Sequence, residues 1–324
     1  MAKYLTPVRW LMEGEQLVEA RVTPGISVAL RALISLVVAM DSSCRHCYGA
    51  FRSMLKIMGY SETLIRKLEE SLALTELTKK EKVALEFARK VSRSAPRPSE
   101  SDLRELAAVG YSPVEIAEIA YLAGINASGN RLATLLAVPP DPLEEVEANW
   151  FMKLKRPFTR KEFQASLSTV PSVARPPTYF GPGAAIVAAL EGSPAGAALA
   201  TILSGAWASS TTSRRVKALI FAVVARGLGC AACEAEGAQA LRGEGWTDAE
   251  IEHLLTYLSS EKLNAFELKV LRFARETVRY HTRRLQELAQ EFAAGLDREV
   301  LLEIIGLVSY ANGLARMSIM LHRC

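Results

Sequence analysis

The chain contains an internal repeat. Shifted by 186 residues, the separation of Cys44 from Cys230, the sequence matches itself. The segments that coincide are residues 44–47 with 230–233, 59–62 with 245–248, and 87–89 with 273–275. Towards the end of each copy the offset shortens by one residue, because Arg131 matches Arg316. Repetition at a fixed period indicates duplication of a structural unit. The sequence therefore predicts two similar domains in tandem, residues 1–138 and 187–324.

The stretch between the two copies, residues 139–186, is rich in proline. It holds eight of the 14 prolines of the chain. Proline has no backbone N–H and is excluded from helix interiors. This composition predicts a connector rather than a third folded unit.

Helix-start signals recur in both copies. Thr78, Ser112, Thr247 and Asn264 each have a glutamate three residues further on. In this arrangement the two side chains bond free N–H groups of the first helical turn. Apolar residues recur at near-helical spacing, as between residues 83 and 91, and we find no run of alternating β-branched residues. The predicted fold class is all-α, with two tandem helical-bundle domains.

Charge and hydropathy exclude several classes of protein. The net charge is +4, from 39 basic and 35 acidic residues, so we predict no nucleic-acid partner. The most apolar runs, residues 26–40 and 216–228, contain basic residues and are shorter than the ~20 residues of a transmembrane helix. We predict no membrane association and, since the N-terminus does not resemble a signal peptide, a cytoplasmic location with reduced cysteines.

Two Cys-x-x-Cys pairs carry the chemistry that we predict. We call Cys44 with Cys47 the first cysteine pair, and Cys230 with Cys233 the second. Each follows an apolar helix and is predicted to open the next one, which brings the two sulfurs to one face. The positive end of the helix dipole stabilises a thiolate, the nucleophile of disulfide exchange. A redox-active pair is therefore expected in each copy, with His46 as a candidate proton donor.

Other interpretations of the cysteines remain open. Each pair could be two buried core residues, or the four cysteines could together hold zinc if the two pairs met. In a tandem repeat each pair belongs to its own domain, so we predict no metal site and no cofactor. Cys324, the fifth cysteine and the last residue, is interpreted as incidental.

The repeated pattern resembles the AhpD-like, or carboxymuconolactone decarboxylase, superfamily. The resemblance rests on an apolar helix preceded by a basic residue, the Cys-x-x-Cys pair, and a Gly-aromatic-Ser/Thr-acid segment. Asn126 with Arg131, and Asn312 with Arg316, also fit the pattern. The resemblance implies all-helical domains that assemble as homo-oligomers, here a trimer of tandem chains or a dimer. It also implies a small-molecule peroxide or a thiol/disulfide partner, with reduction of the peroxide or of the partner's disulfide.

Two positions depart from the pattern of the alkylhydroperoxidase branch in both copies. The branch has a histidine four residues after the second cysteine, where this chain has Phe51 and Gly237. It has a glutamate twelve residues before the first cysteine, where this chain has Ala32 and Ala218. Loss of a Glu–His proton relay should slow peroxide chemistry. Two alternatives therefore stay open: a non-redox pocket enzyme of the decarboxylase or isomerase type, or a non-catalytic binding or scaffold protein.

The order of attack within a pair is also open. The resemblance implies that Cys47 attacks and Cys44 resolves, whereas the helix dipole favours Cys44 as the thiol of lower pKa. Oxidation is expected to close a disulfide within each pair. We expect the first pair to be the more reactive, because Arg45 and His46 lie between its cysteines while Glu234 and Glu236 follow the second pair.

Overall fold

The computed structural model describes residues 2–19, 22–72, 76–93, 96–140 and 179–321. Within these ranges all regular structure is helical and no strand occurs, which confirms the all-α prediction. Residues 141–178, most of the predicted connector, lie outside the described residues, as does Cys324. The domain boundaries stay a prediction.

The helices of the first half are α1 (Ala2–Leu5), α2 (Arg9–Glu19), α3 (Val28–Asp41), α4 (Arg45–Ile57), α5 (Glu62–Glu70), α6 (Lys79–Arg93), α7 (Glu100–Ala108) and α8 (Pro113–Leu135). Those of the second half are α9 (Ala184–Ala189), α10 (Pro194–Ala208), α11 (Arg214–Leu228), α12 (Ala231–Gly243), α13 (Asp248–Tyr257), α14 (Ala265–Glu276), α15 (Thr282–Ala293) and α16 (Arg298–Met320).

The order of the helices follows the repeat in the sequence. Helices α3 and α11 begin 186 residues apart, as do α4 and α12, while α8 and α16 begin 185 residues apart. The predicted helix starts are confirmed at Ser112, Thr247 and Asn264. Each of these side chains accepts a hydrogen bond from the N–H three residues on, and the glutamate there accepts one in return.

The long final helices of the two halves, α8 and α16, pack closely against each other. Glycines at the crossing allow this approach. A Cβ atom added to Gly313 would lie 2.6 Å from the carbonyl oxygen of Gly124, and one added to Gly124 would lie 3.1 Å from that of Gly313. Their neighbours belong to one hydrophobic core that runs through both halves.

We predict that Gly313→Ala destabilises the protein by about 1–3 kcal/mol, because the added methyl group overpacks the crossing of α8 and α16. Gly129→Ala, also on α8, is the matched control, since a Cβ there meets no atom within 4 Å. Gly129→Ala should instead stabilise the helix by about 0.5–1 kcal/mol. Chemical denaturation measures both, and equal effects of the two substitutions would contradict the packing argument.

The N-terminal helix α2 packs against α10 and the last helix of the second half. The Trp10 Nε1–H donates to Oε1 of Glu303 over 3.2 Å, and its ring meets Tyr310 edge to face with centroids 5.7 Å apart. In return, Ser193 at the start of α10 donates to Glu118 on α8 over 2.7 Å. Residues near the start of each half therefore bond to the long final helix of the other half.

One described helix, Arg298–Met320, is long and apolar enough to cross a membrane, and its most apolar window is 89% buried inside the protein. This helix is not one of the two most apolar runs of the sequence, residues 26–40 and 216–228. Burial of α16 against α8 and α11 explains its apolar composition as that of a core helix.

Candidate functional site

The first cysteine pair lies where α3 ends and α4 begins. Cys44 is the N-cap residue of α4, and its sulfur accepts the backbone N–H of Cys47 over 3.3 Å. The two sulfur atoms are 2.6 Å apart, so one thiol can donate to the other. Both residues are buried, with 3% of Cys44 and 7% of Cys47 exposed. The two sulfurs of the first pair therefore lie together at a helix start, as the Cys-x-x-Cys spacing predicts.

A buried carboxylate anchors the turn that leads to this pair. Asp41, the last residue of α3, accepts hydrogen bonds from Arg89, Ser92 and Arg93 of α6. These contacts tie the end of α3 to α6 at distances of 2.8–3.1 Å. Because Cys44 follows only three residues later, the contacts also hold the first cysteine pair in place.

The two thiols of the first pair differ in pKa. The pKa of Cys44 is lowered, chiefly because the Cys47 thiol donates to its sulfur. Burial opposes this effect, while the N–H groups of Cys47 and His46 and the hydroxyl of Thr134 support it. The pKa of Cys47 lies well above its ordinary value, because its proton is held by Cys44 and its sulfur is buried. Of the two thiols, Cys44 therefore has the lower pKa, the order that the helix dipole favours.

His46, the candidate proton donor, acts on the sulfur through its backbone. Its ring Nδ1 lies 2.8 Å from the carbonyl oxygen of Pro139 and must donate to it. In the described part of the chain the ring makes no hydrogen bond to either sulfur. Arg45 is exposed to solvent. A role of the His46 ring in proton transfer stays a prediction.

Two hydroxyl groups that sequence analysis missed complete the site. Thr134 lies near the end of α8, and its hydroxyl is among the causes that lower the pKa of Cys44. Its Oγ1 is 2.6 Å from the hydroxyl oxygen of Tyr280, which comes from the second half of the chain. Tyr280 also donates to the carbonyl oxygen of Asn130 over 3.0 Å. Burial raises the pKa of Tyr280, so its phenol is neutral.

Apolar residues surround the rest of the first pair. Phe51, at the position of the family histidine, packs with Ala39, Ala133 and Val138 against the cysteines. Ala32, at the position of the family glutamate, is 1% exposed. Neither position can move a proton. Hydrogen-bond donors are therefore the causes that lower the pKa of Cys44.

The second cysteine pair is built on the same turn but is not a dithiol. Cys230 is the N-cap residue of α12, and its sulfur accepts the N–H of Cys233 over 3.4 Å. Cys230 is disulfide-bonded, whereas Cys233 is a free thiol, as are Cys44 and Cys47. The expected bridge between Cys230 and Cys233 is therefore wrong for this structure. Cys324 lies outside the described residues.

The pKa of the Cys233 thiol lies above its ordinary value, whereas that of Cys44 lies below it, and local charge is not the main cause for Cys233. Burial raises its pKa to about 12, a hydrogen bond with Ser318 opposes this, and Glu236 adds to it. Glu234 is engaged in an ion pair with Arg226 at 2.6 Å and is not among the causes. Desolvation therefore dominates over local charge.

The packing at Gly237 leaves no room for a side chain at this position, where the alkylhydroperoxidase branch has a histidine. A Cβ atom at this position would lie 2.8 Å from the Cα of Ala222 on α11. Backbone atoms cannot give way, so a side chain is excluded here by the packing of α12 on α11.

Two arginines lie close together in the core between the halves. Arg131 and Arg316, the residues matched by the repeat, are 1% and 5% exposed. Arg131 donates from Nε to the carbonyl of Thr277 over 3.0 Å, and Arg316 donates to Asn312 over 3.1 Å. Burial lowers the pKa of Arg131 to about 10. That of Arg316 lies well below its usual value, through burial and the charge of Arg131. Among the described residues no carboxylate pairs with either guanidinium.

Among the described residues no group of three or more His, Cys, Asp or Glu side chains could hold a metal ion. No protein-family model matches the chain, and no curated protein or solved structure shows significant similarity to it.

Proposed function

We propose that the protein is a tandem AhpD-like thiol oxidoreductase that reduces peroxides at the first cysteine pair, Cys44 and Cys47. The observation that carries the proposal is the contact of the two sulfurs at the start of α4, with the pKa of Cys44 lowered. Thiolate character is what makes a cysteine nucleophilic at neutral pH. A small substrate is favoured, because only 3% of Cys44 is exposed.

In the proposed reaction the Cys44 thiolate attacks one peroxide oxygen. The S–O bond forms, the O–O bond breaks, and the alkoxide takes the proton of Cys47 and leaves as the alcohol. The Cys47 thiolate then attacks the sulfenic acid of Cys44. The disulfide closes and hydroxide leaves, becoming water with a solvent proton. Two thiols are oxidised and one peroxide is reduced, and an external thiol or dithiol must then reduce the disulfide.

The test is a titration of the reduced protein with an alkyl hydroperoxide, read by peptide mass spectrometry. We expect one peroxide to be consumed for each Cys44–Cys47 disulfide formed, with Cys233 unchanged. Overoxidation of Cys44 without a disulfide, or no reaction of either thiol, would overturn the proposal.

The surface clefts bear on the alternative of a non-redox pocket enzyme. One described cleft, of about 400 Å³, contains Ser213, Asn264 and Asp297. A second, of about 340 Å³, lies beside Arg89 and Arg93. No cysteine lines either cleft. Ser213 and Asn264 of the first cleft cap α11 and α14 with their side chains.

We propose a homo-oligomer, a trimer of tandem chains first and a dimer second, in the cytoplasm. Phe180 and Tyr257 are the large side chains available for contacts, being 86% and 67% exposed. Light scattering should give a mass two or three times the chain mass of 35.4 kDa. A monomer at micromolar concentration would contradict this proposal.

A further inference from the structure

We propose that Arg131 and Arg316 form a binding site for one small monovalent anion, of the size of chloride or acetate, in the core between the two halves. This site is independent of the proposed function, because it involves none of the cysteines and its test needs no peroxide.

The two arginines belong to one cluster of contacts, although they come from different halves of the chain. Arg131, on α8, donates from Nε to the carbonyl oxygen of Thr277 over 3.0 Å. The Oγ1 of Thr277 lies 3.5 Å from Nδ2 of Asn312. Asn312 accepts from Nη1 of Arg316, on α16, at both its carbonyl and its amide oxygen over 3.1 Å. Each guanidinium therefore bonds one member of the same contacting pair, Thr277 and Asn312.

This cluster holds two positive charges and, as far as the structure describes the chain, no negative one. The guanidiniums contact carbonyl and amide oxygens and the ring of Tyr280, all of which are neutral. Arginine does not lose its proton in proteins, so the charges persist. Because an isolated charge is costly to remove from water, buried charges are normally paired. A bound anion would supply the missing negative charge.

Two N–H donors in this region have no acceptor. Nη2 of Arg131 and Nδ2 of the preceding residue, Asn130, are buried and form no hydrogen bond within the described ranges. Only 1% of Arg131 is exposed, so bulk water does not solvate its side chain. Buried donors in native proteins nearly always have a partner, which can be a water or an ion. Beside two cations an anion is favoured over water, because only the anion also neutralises charge.

The surroundings define where the anion binds and how large it is. Tyr280 covers one face of the Arg131 guanidinium, whose central carbon lies 4.9 Å from the centre of the ring. The N–H groups of a guanidinium point outward in its own plane, so the anion would lie at the Nη2 edge. Neither arginine lines either of the two clefts described above. We therefore expect an anion of few atoms.

The experiment measures the midpoint of urea denaturation while sodium gluconate is replaced stepwise by sodium chloride or sodium acetate. Constant ionic strength keeps the screening of surface charges unchanged. Gluconate is too large for a buried site and serves as the inert anion. A ligand that binds only the folded protein stabilises it by mass action. The midpoint of the wild-type protein should therefore rise with the concentration of chloride or acetate.

Arg131→Gln removes one charge together with the unpartnered Nη2, so its midpoint should no longer depend on the anion. Arg9→Gln is the matched control, since it removes an exposed arginine that pairs with Glu13, and it should keep the full wild-type dependence. In gluconate the two buried cations are not neutralised, so Arg316→Met should be more stable than the wild type. This gain should shrink as chloride is added.

Bromide locates the site directly and decides the question if Arg131→Gln does not fold. Wild-type crystals soaked in sodium bromide should show an anomalous peak in contact with the Arg131 guanidinium. The proposal would be overturned by equal rises of the midpoint in the wild type and Arg131→Gln, by no rise in the wild type, or by bromide peaks at the protein surface alone.

Discussion

Cys44→Ser is expected to abolish the proposed peroxide reduction, with a loss of at least about a thousandfold, because Cys44 is the nucleophile of the proposed reaction and removing the nucleophile of a catalytic unit removes the whole unit. Cys47→Ser should also stop turnover, since the sulfenic acid of Cys44 then has no resolving thiol. The peroxide consumed per cycle of reduction and oxidation measures both. In Cys47→Ser, mass spectrometry should still find one oxygen added to Cys44.

The second cysteine pair provides the comparison. Cys233→Ser should retain peroxide reduction, because burial raises the pKa of the Cys233 thiol to about 12 and it is not ionised at neutral pH. Cys230→Ser should retain it too, because Cys230 is engaged in a disulfide. A greater loss in either of these variants than in Cys44→Ser would move the active site to the second half.

Arg316→Met is expected to raise the free energy of unfolding by up to about 4 kcal/mol, the upper end of the range found when buried ion pairs are replaced by well-packed apolar residues of similar volume. Arg316 is 5% exposed and shares the core with the cation of Arg131. Within the described residues it donates to the backbone and side chain of Asn312, and no acid neutralises it. Methionine fills the same space without the charge.

Denaturation curves at several pH values test this expectation. The pKa of folded Arg316 is lowered, so its burial penalty is complete at neutral pH and is relieved as pH rises past that pKa. The gain from Arg316→Met should therefore shrink at high pH. Arg316→Lys, which keeps the charge, should give no such gain. A less stable Arg316→Met protein would show that the guanidinium has a stabilising partner.

Local signals in the sequence predicted the helices well, because they depend on neighbours in the chain. The glutamates three residues after Ser112 and Thr247 are where the capping boxes form. The Cys-x-x-Cys spacing likewise predicted the position of Cys44 at a helix start, since an N-cap requires only the turn that follows it.

Features that depend on contacts between distant residues could not be predicted in this way. Tyr280 reaches Thr134 across 146 positions in the sequence. No periodicity or motif relates the two, because their approach depends on how α8 packs beside the segment between α14 and α15. The expected effect of charge on the second pair is found for Glu236 but not for Glu234. Arg226 on the neighbouring helix engages Glu234, and burial decides the pKa of Cys233.

The pairing of Tyr280 with Thr134 also has a consequence for symmetry. At the offsets of the repeat, Tyr280 corresponds to Ser94 and Thr134 corresponds to Ile319, so the equivalent Thr–Tyr pair does not exist for the second cysteine pair. Two identical subunits of a dimer must carry every substitution twice, because one gene encodes both. A duplicated chain is free of this constraint, and each copy can change alone. One half can thus contribute a side chain to a site in the other half, although no equivalent contribution is made in the opposite direction.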